Sequence, residues 1–148
     1  VASIAFRLMG RDDEVKDVVQ DVFVELMRSY EHLTELETLS GWLSTVTVRV
    51  VGKRLRRRRL KRRLGFVDEE AYENLASSDA PHECRVELRR LYRALDRLGV
   101  DERLAWTLRH LQNEPLDVVA DRCNVSLATA KRRIAAAHRF LSVELGYG

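Results

Sequence analysis

The sequence predicts an all-α fold of two small helical domains joined by an acidic linker, with a helix-turn-helix in the second domain. Three features carry this. Apolar residues recur at i, i+3 and i+4 through most of the 148 residues, the spacing of helices with one buried face. Two prolines and seven glycines leave little material for a many-turned β fold. From Gly65 to Cys84 the chain has six acidic residues and no Lys or Arg, and the ASSDAP stretch within it has the composition of a connector. The implied boundaries are residues 1–64, 65–82 and 83–148. With Val1 and no initiator Met at its start, the natural chain is expected to be longer.

In the first domain, Ala2–Met9 is an apolar-rich helical piece ended by Gly10. Asp12 or Asp13 starts a longer helix through Tyr30, whose buried face is Val15, Val18, Val19, Val22, Phe23, Leu26, Met27 and Tyr30. The opposite side carries Lys16, Asp17, Gln20, Asp21 and Glu25. By default this is a solvated face; its polar residues can also form a docking surface for a partner helix, and periodicity does not choose between the two. His32–Leu39 reads as a loop, and Ser40 as the cap of the next helix. There the local signals conflict. Ser44–Val51 alternates and is β-branched, which favours a strand. A lone strand among helices would leave its backbone groups unpaired, and Trp42, Leu43, Val46, Val50 and Leu55 also share one helical face. The helix reading prevails and continues into the basic run.

Lys53–Arg63 holds nine cationic residues and no acid, about a third of the 26 Lys and Arg in the chain, so the remainder is net negative. Charge concentrated in this way suits a polyanion. Leu55, Leu60 and Leu64 interrupt it, so its first half is expected to pack. The run lacks the broad apolar face of an interfacial helix, which favours nucleic acid over a membrane.

In the second domain, Val86, Leu88, Leu91, Tyr92, Leu95 and Leu98 make one amphipathic helix, ended by Gly99. Asp101 to about Gln112 makes another, burying Leu104, Ala105, Leu108 and Leu111 and leaving Trp106 partly exposed. Trp42 and Trp106 read as core anchors rather than base-stacking platforms. Pro115 opens a short helix where its missing N–H costs nothing, with Leu116, Val119 and Ala120 inward. Asn124 falls where a tight turn needs a left-handed residue. Ser126 then caps the last helix, whose Leu127, Ala130, Ile134, Ala137 and Leu141 face in. Its outer side shows Thr129, Lys131, Arg132, Arg133 and Arg139, with no acid before Leu141. A helix of this kind, held across a helix-turn-helix, suits the major groove of DNA.

No catalytic constellation is visible. His32, His82, His110 and His138 are scattered, and Cys84 and Cys123 lack metal-ligand spacing. The reading is a non-enzyme with no metal and no cofactor. No signal peptide or membrane-length apolar run appears, so a cytoplasmic setting without membrane insertion is expected. The residues alone leave open a stand-alone transcriptional regulator that binds DNA through 83–148 and dimerises through 1–63.

In this order, the motifs resemble the extracytoplasmic-function group of bacterial RNA polymerase sigma factors, over nearly the whole chain. DVVQDVFVEL (Asp17–Leu26) is similar to the family's polymerase-binding helix, roughly D-L-V-Q-E-V-F. The resemblance implies Asp17, Gln20, Asp21 and Glu25 as contacts to core RNA polymerase, with Phe23 on a matching position. GWLSTVTVRVVGKRLRRRR resembles the adjoining helix that handles the start-proximal promoter element and helps to open the duplex. It implies Arg49, Lys53, Arg54, Arg56 and Arg57 on DNA. The stretch from Leu95 to Leu141 resembles the domain that reads the upstream element, implying Ser126, Thr129, Lys131, Arg132, Arg133 and Arg139 on promoter DNA. The acidic Gly65–Glu83 segment is similar to the linker that threads toward the polymerase active-site channel. Ser44, Thr45 and Arg49 stand where the family commonly carries a Tyr-Arg pair and an Asn, which moves the expected site of extruded-base recognition to His32–Leu39. Ala135 and Ala136 replace larger side chains, implying fewer upstream contacts or readout of DNA shape. The implied function is recruitment of core polymerase to promoters and assistance in opening them, with an anti-sigma protein as a further partner.

Overall fold

The computed structural model describes residues 1–11, 13–33, 36–66, 72 and 79–147, without the side chains of 36–38. The elements among them are all helical: α1 (Ala2–Met9), α2 (Val15–Ser29), a 3₁₀ turn (Tyr30–His32), α3 (Leu36–Arg63), α4 (His82–Arg97), α5 (Val100–His110), α6 (Leu116–Arg122) and α7 (Leu127–Leu145). The all-α class is the one the apolar periodicity predicts.

Gly10 ends α1 by turning left-handed, φ 71°, with its N–H on the Phe6 carbonyl at 2.6 Å. Glycine is required there twice over, because a Cβ would overlap the Tyr92 ring, with Cε1 at 2.6 Å. The start of α2 falls at Val15, behind Glu14, and Asp12 lies outside the described residues. The expected buried face of α2 is realised only in part. Val18 and Val22 are fully buried, but Phe23, Met27 and Tyr30 are 54, 75 and 65% exposed. The helix packs on α1 and α3, which cover its first half and leave the later apolar positions to solvent.

In α3 the strand–helix conflict is settled in favour of the helix, from Leu36 to Arg63. The Thr45 and Thr47 hydroxyls donate to the Gly41 and Leu43 carbonyls at 3.0 and 2.6 Å, so the β-branched residues are satisfied within the helix. Val46, Thr47, Val48, Val50, Val51 and Leu55 are all buried. This wide arc reflects a central position, with α1, α2, α5 and α6 packed around the helix. Ser40 is not the cap: it lies inside α3, and its carbonyl accepts from Ser44 Oγ at 3.0 Å. The loop reading is therefore corrected for residues 36–39, where no Gly or Pro stops the helix; 34 and 35 lie outside the described residues. The basic run stays helical to Arg63, with Leu60 and Leu64 exposed beyond the packed Leu55.

The two halves of the chain are joined by a polar node under α5. Arg103 is 2% exposed. Its Nη2 donates to the Leu8 and Met9 carbonyls, both at 3.1 Å, and its Nη1 donates to Asp96 Oδ1 at 2.6 Å. Those carbonyls end α1, where no intrahelical N–H can reach them. The Tyr92 hydroxyl donates to the next one back, that of Arg7. Asp96 also pairs with Arg62 at 3.1 Å and accepts from the Tyr72 hydroxyl. Tyr72 is buried with its ring centroid 5.4 Å from that of Tyr92. It is the described part of the acidic segment's interior; Asp68, Glu69, Glu70 and Glu73 lie outside the described residues.

In the second half, α4 begins at His82 and α5 at Val100. Trp106 is buried rather than partly exposed, because α7 packs along α5 and covers it. Asn124 takes φ 54° in the turn between α6 and α7, and Ser126 Oγ accepts from the Thr129 N–H at 3.2 Å. Ala130, Ile134, Ala137 and Leu141 are buried as the periodicity requires. Leu127 is exposed, since coverage of the stripe starts only at Ala130.

Replacing Arg103 with Ala strands a buried carboxylate and two helix-end carbonyls, so the expected cost is about 3–5 kcal/mol, read as a lower urea midpoint. The node also sets an alkaline limit. Burial pushes the Tyr92 phenol up to about 12 and raises Tyr72 as well. The folded state thus favours the neutral phenol. Its contribution is complete below the unfolded value near 10 and is lost as pH rises to about 12. Circular dichroism followed with tyrosinate absorbance should show unfolding within that window.

Candidate docking and nucleic-acid surfaces

Amphipathic α2 displays Lys16, Asp17, Gln20 and Asp21 to solvent, with Glu25 half-buried. Asp21 pairs with Arg54 at 2.8 Å and Glu25 with Arg49 at 3.3 Å. The carboxylates expected to meet a protein and the arginines expected to meet DNA therefore form one continuous surface across α2 and α3. Lys53 and Arg57 are exposed on it. Exposed pairs of this kind are worth about 0–1 kcal/mol each, so an incoming phosphate or carboxylate can exchange into them at little cost. Beside them Phe23, Met27 and Tyr30, at i, i+4 and i+7, form an exposed apolar stripe. Sequence reasoning missed this stripe as a surface, because the same spacing signals a core face.

On α7, Lys131, Arg132 and Arg139 are exposed, whereas Arg133 turns toward Asp101 at 3.6 Å. The Ser126 hydroxyl is engaged locally, donating to Thr129 Oγ1 at 3.0 Å. Asp101 also holds Arg56 of α3 at 3.2 Å. One carboxylate on α5 thus joins the two helices expected to carry the DNA contacts, a role no sequence pattern pointed to. On another side of the second half, Leu88, Leu91, Trp106, Leu141 and Leu145 line an open apolar groove of about 680 Å³. Among the described residues, no helix is long and apolar enough to cross a membrane.

Residues 1–61, from α1 into the basic part of α3, match the Sigma-70 region 2 family. Over 142 residues the chain is 24% identical to RNA polymerase sigma factor SigV of Bacillus subtilis (strain 168), covering 96% of this chain and 82% of that protein. Its fold is similar to that of the sigma factor RpoE solved with the anti-sigma factor NepR from Bartonella quintana. The TM-score is 0.72 at 22% identity, covering 98% of this chain and 89% of that one. CnrH, solved with the cytosolic domain of CnrY, gives a TM-score of 0.62 at 19% identity, covering 99% and 80%. Residues 1–61 thus match Sigma-70 region 2, and the chain as a whole is similar in sequence and fold to sigma factors.

The region 2 match takes in α2 and most of α3, so both helices of the mixed surface fall inside it. The α7 surface and the Asp101 bridge lie outside that match. Asp101→Asn removes the carboxylate that holds Arg56 and Arg133. The expected result is tighter binding to a labelled duplex. Its logarithmic salt dependence should steepen by about 1–2, as up to two more cations reach phosphates; anisotropy titrations across salt concentrations measure it.

Proposed function

We propose that this chain is a sigma factor that directs core RNA polymerase to promoters and aids their opening through three surfaces. Asp17, Gln20, Asp21 and Glu25 of α2 dock on the polymerase, with the Phe23–Met27–Tyr30 stripe supplying apolar area to the same contact. Arg49, Lys53, Arg54, Arg56 and Arg57 of α3 hold phosphates of the start-proximal element as the strands part. Ser126, Thr129, Lys131, Arg132, Arg133 and Arg139 of α7, presented by a helix-turn-helix, meet the upstream element. The observation that carries this reading is the match of α1–α3 to Sigma-70 region 2. It disfavours the stand-alone regulator, which has no use for a polymerase-docking helix.

Unstacking promoter steps costs a few kcal/mol each. Two modest DNA grips on one polymerase-bound chain act at high effective concentration, which offsets that cost without a tight grip at either site. The chain itself is assigned no chemical step, so it acts as a non-enzyme in the compartment that holds the polymerase, the cytoplasm. An anti-sigma protein is a proposed inhibitor. The structurally similar RpoE is solved with the anti-sigma factor NepR, and CnrH with the cytosolic domain of CnrY; the groove lined by Leu91, Trp106 and Leu141 offers an apolar helix a place to lie.

The test is run-off transcription with core polymerase and promoter fragments, together with a polymerase pull-down. Asp17→Lys with Gln20→Lys leaves the Asp21–Arg54 and Glu25–Arg49 pairs intact. It should weaken polymerase binding at least about tenfold, roughly 1.4 kcal/mol, while duplex binding by the free chain persists. Undiminished polymerase binding by the double variant would refute the docking surface.

A further inference from the structure

The C-terminal part of α3 holds a cleft of about 220 Å³ whose walls carry Arg54, Arg57, Arg58, Lys61 and Arg62, with Glu14 as its acid and Phe66 at its edge. Glu14 takes Arg58 Nη2 at 3.0 Å, and Arg54 and Arg62 are partly spent on Asp21 and Asp96. The cations nonetheless outnumber the acids. The Arg58 side chain is only 10% exposed, yet its Nε and Nη1 have no hydrogen-bond partner, and neither does Arg54 Nε. Buried guanidinium N–H groups left unpaired are uncommon and costly. A phosphate suits so cation-rich a cleft, because its oxygens accept in pairs from a guanidinium fork once that fork is released from Glu14.

A DNA backbone rests on exposed cations. The Arg58 guanidinium is instead covered and turned to Glu14, and an anion that enters the cleft would draw it away from that acid into the open. Phe66 is exposed and offers an aromatic face of the kind on which nucleobases stack. We infer that this cleft seats the phosphates of a nucleoside diphosphate, with its base against Phe66. On the proposed DNA role of Arg54 and Arg57, on which this consequence alone rests, an occupied cleft withdraws both from promoter phosphates, so nucleotide and DNA compete.

Calorimetry on the full chain without polymerase tests the seat, with pyrophosphate, adenosine diphosphate and adenosine as probes at about 150 mM salt, where surface attraction is screened. Pyrophosphate should bind once per chain, the diphosphate more tightly, and adenosine undetectably. Arg58→Lys should weaken both anions at least tenfold. Because Arg58 also pairs with Glu14, Lys61→Gln on the exposed wall serves as a second variant with the same expected loss. Phe66→Ala should erase the advantage of the diphosphate over pyrophosphate. Unsaturable binding, or equal affinity in wild type and Lys61→Gln, overturns the seat. So does a Lys61→Gln loss as large for duplex DNA as for pyrophosphate, which would mark the cleft as a backbone contact. An unchanged diphosphate preference in Phe66→Ala overturns the assignment of the base. None of these readouts involves polymerase, so they stand or fall apart from the initiation role.

Discussion

The fold depends on one buried guanidinium. Arg103 fills the space where the end of α1 meets α4 and α5, and it takes the Leu8 and Met9 carbonyls and the Asp96 carboxylate at once. A buried charge is tolerable only when nearly every neighbour is a partner, and here nearly every one is. The arrangement gives the first half's short N-terminal helix a C-terminal cap drawn from the second half. It also explains why Gly10 must be flat against Tyr92: the helix end has to approach closely enough for the carbonyls to be reached.

The charged surfaces follow a different logic. Around Arg103 the pairs are covered and geometrically fixed; across α2 and α3, and at Asp101, they lie open to solvent. Covered pairs resist exchange, while open ones give way to competing partners at little cost. The molecule therefore separates the electrostatics that hold its halves together from those available to partners. Both sets draw on the same arginine-rich helix, with Arg62 turned to the node and Arg54 and Arg56 to the surface.

Much of the fold was legible because the relevant chemistry is local. Gly10, Asn124 and Ser126 announce a helix end, a left-handed turn and a cap within a few residues of where they act. The helical reading of Ser44–Val51 succeeded against its propensity because an unpaired strand was the worse alternative. What sequence could not deliver was whatever depends on distant neighbours. Phe23, Met27 and Tyr30 have the spacing of a core face, but spacing does not say whether another helix will arrive to cover it. Arg103 and Asp96 look like ordinary members of charged helices, and Tyr72 like an ordinary residue of a connector. Their partners are up to 95 positions away. In the candidate surfaces, residue types were readable while the pairing of Asp21 with Arg54 and of Asp101 with Arg56 and Arg133 was not.

The seating of Tyr72 has a consequence for reach. Its ring and hydroxyl belong to the packing of α4. While it stays there, a point nine positions beyond Arg63 is held against α4, and nine positions of chain span at most about 30 Å. Counted instead to His82 at the start of α4, the span is nineteen positions, at most about 65 Å. A single aromatic residue thus pins the stretch of chain between the basic end of α3 and the start of α4 at a point near its middle.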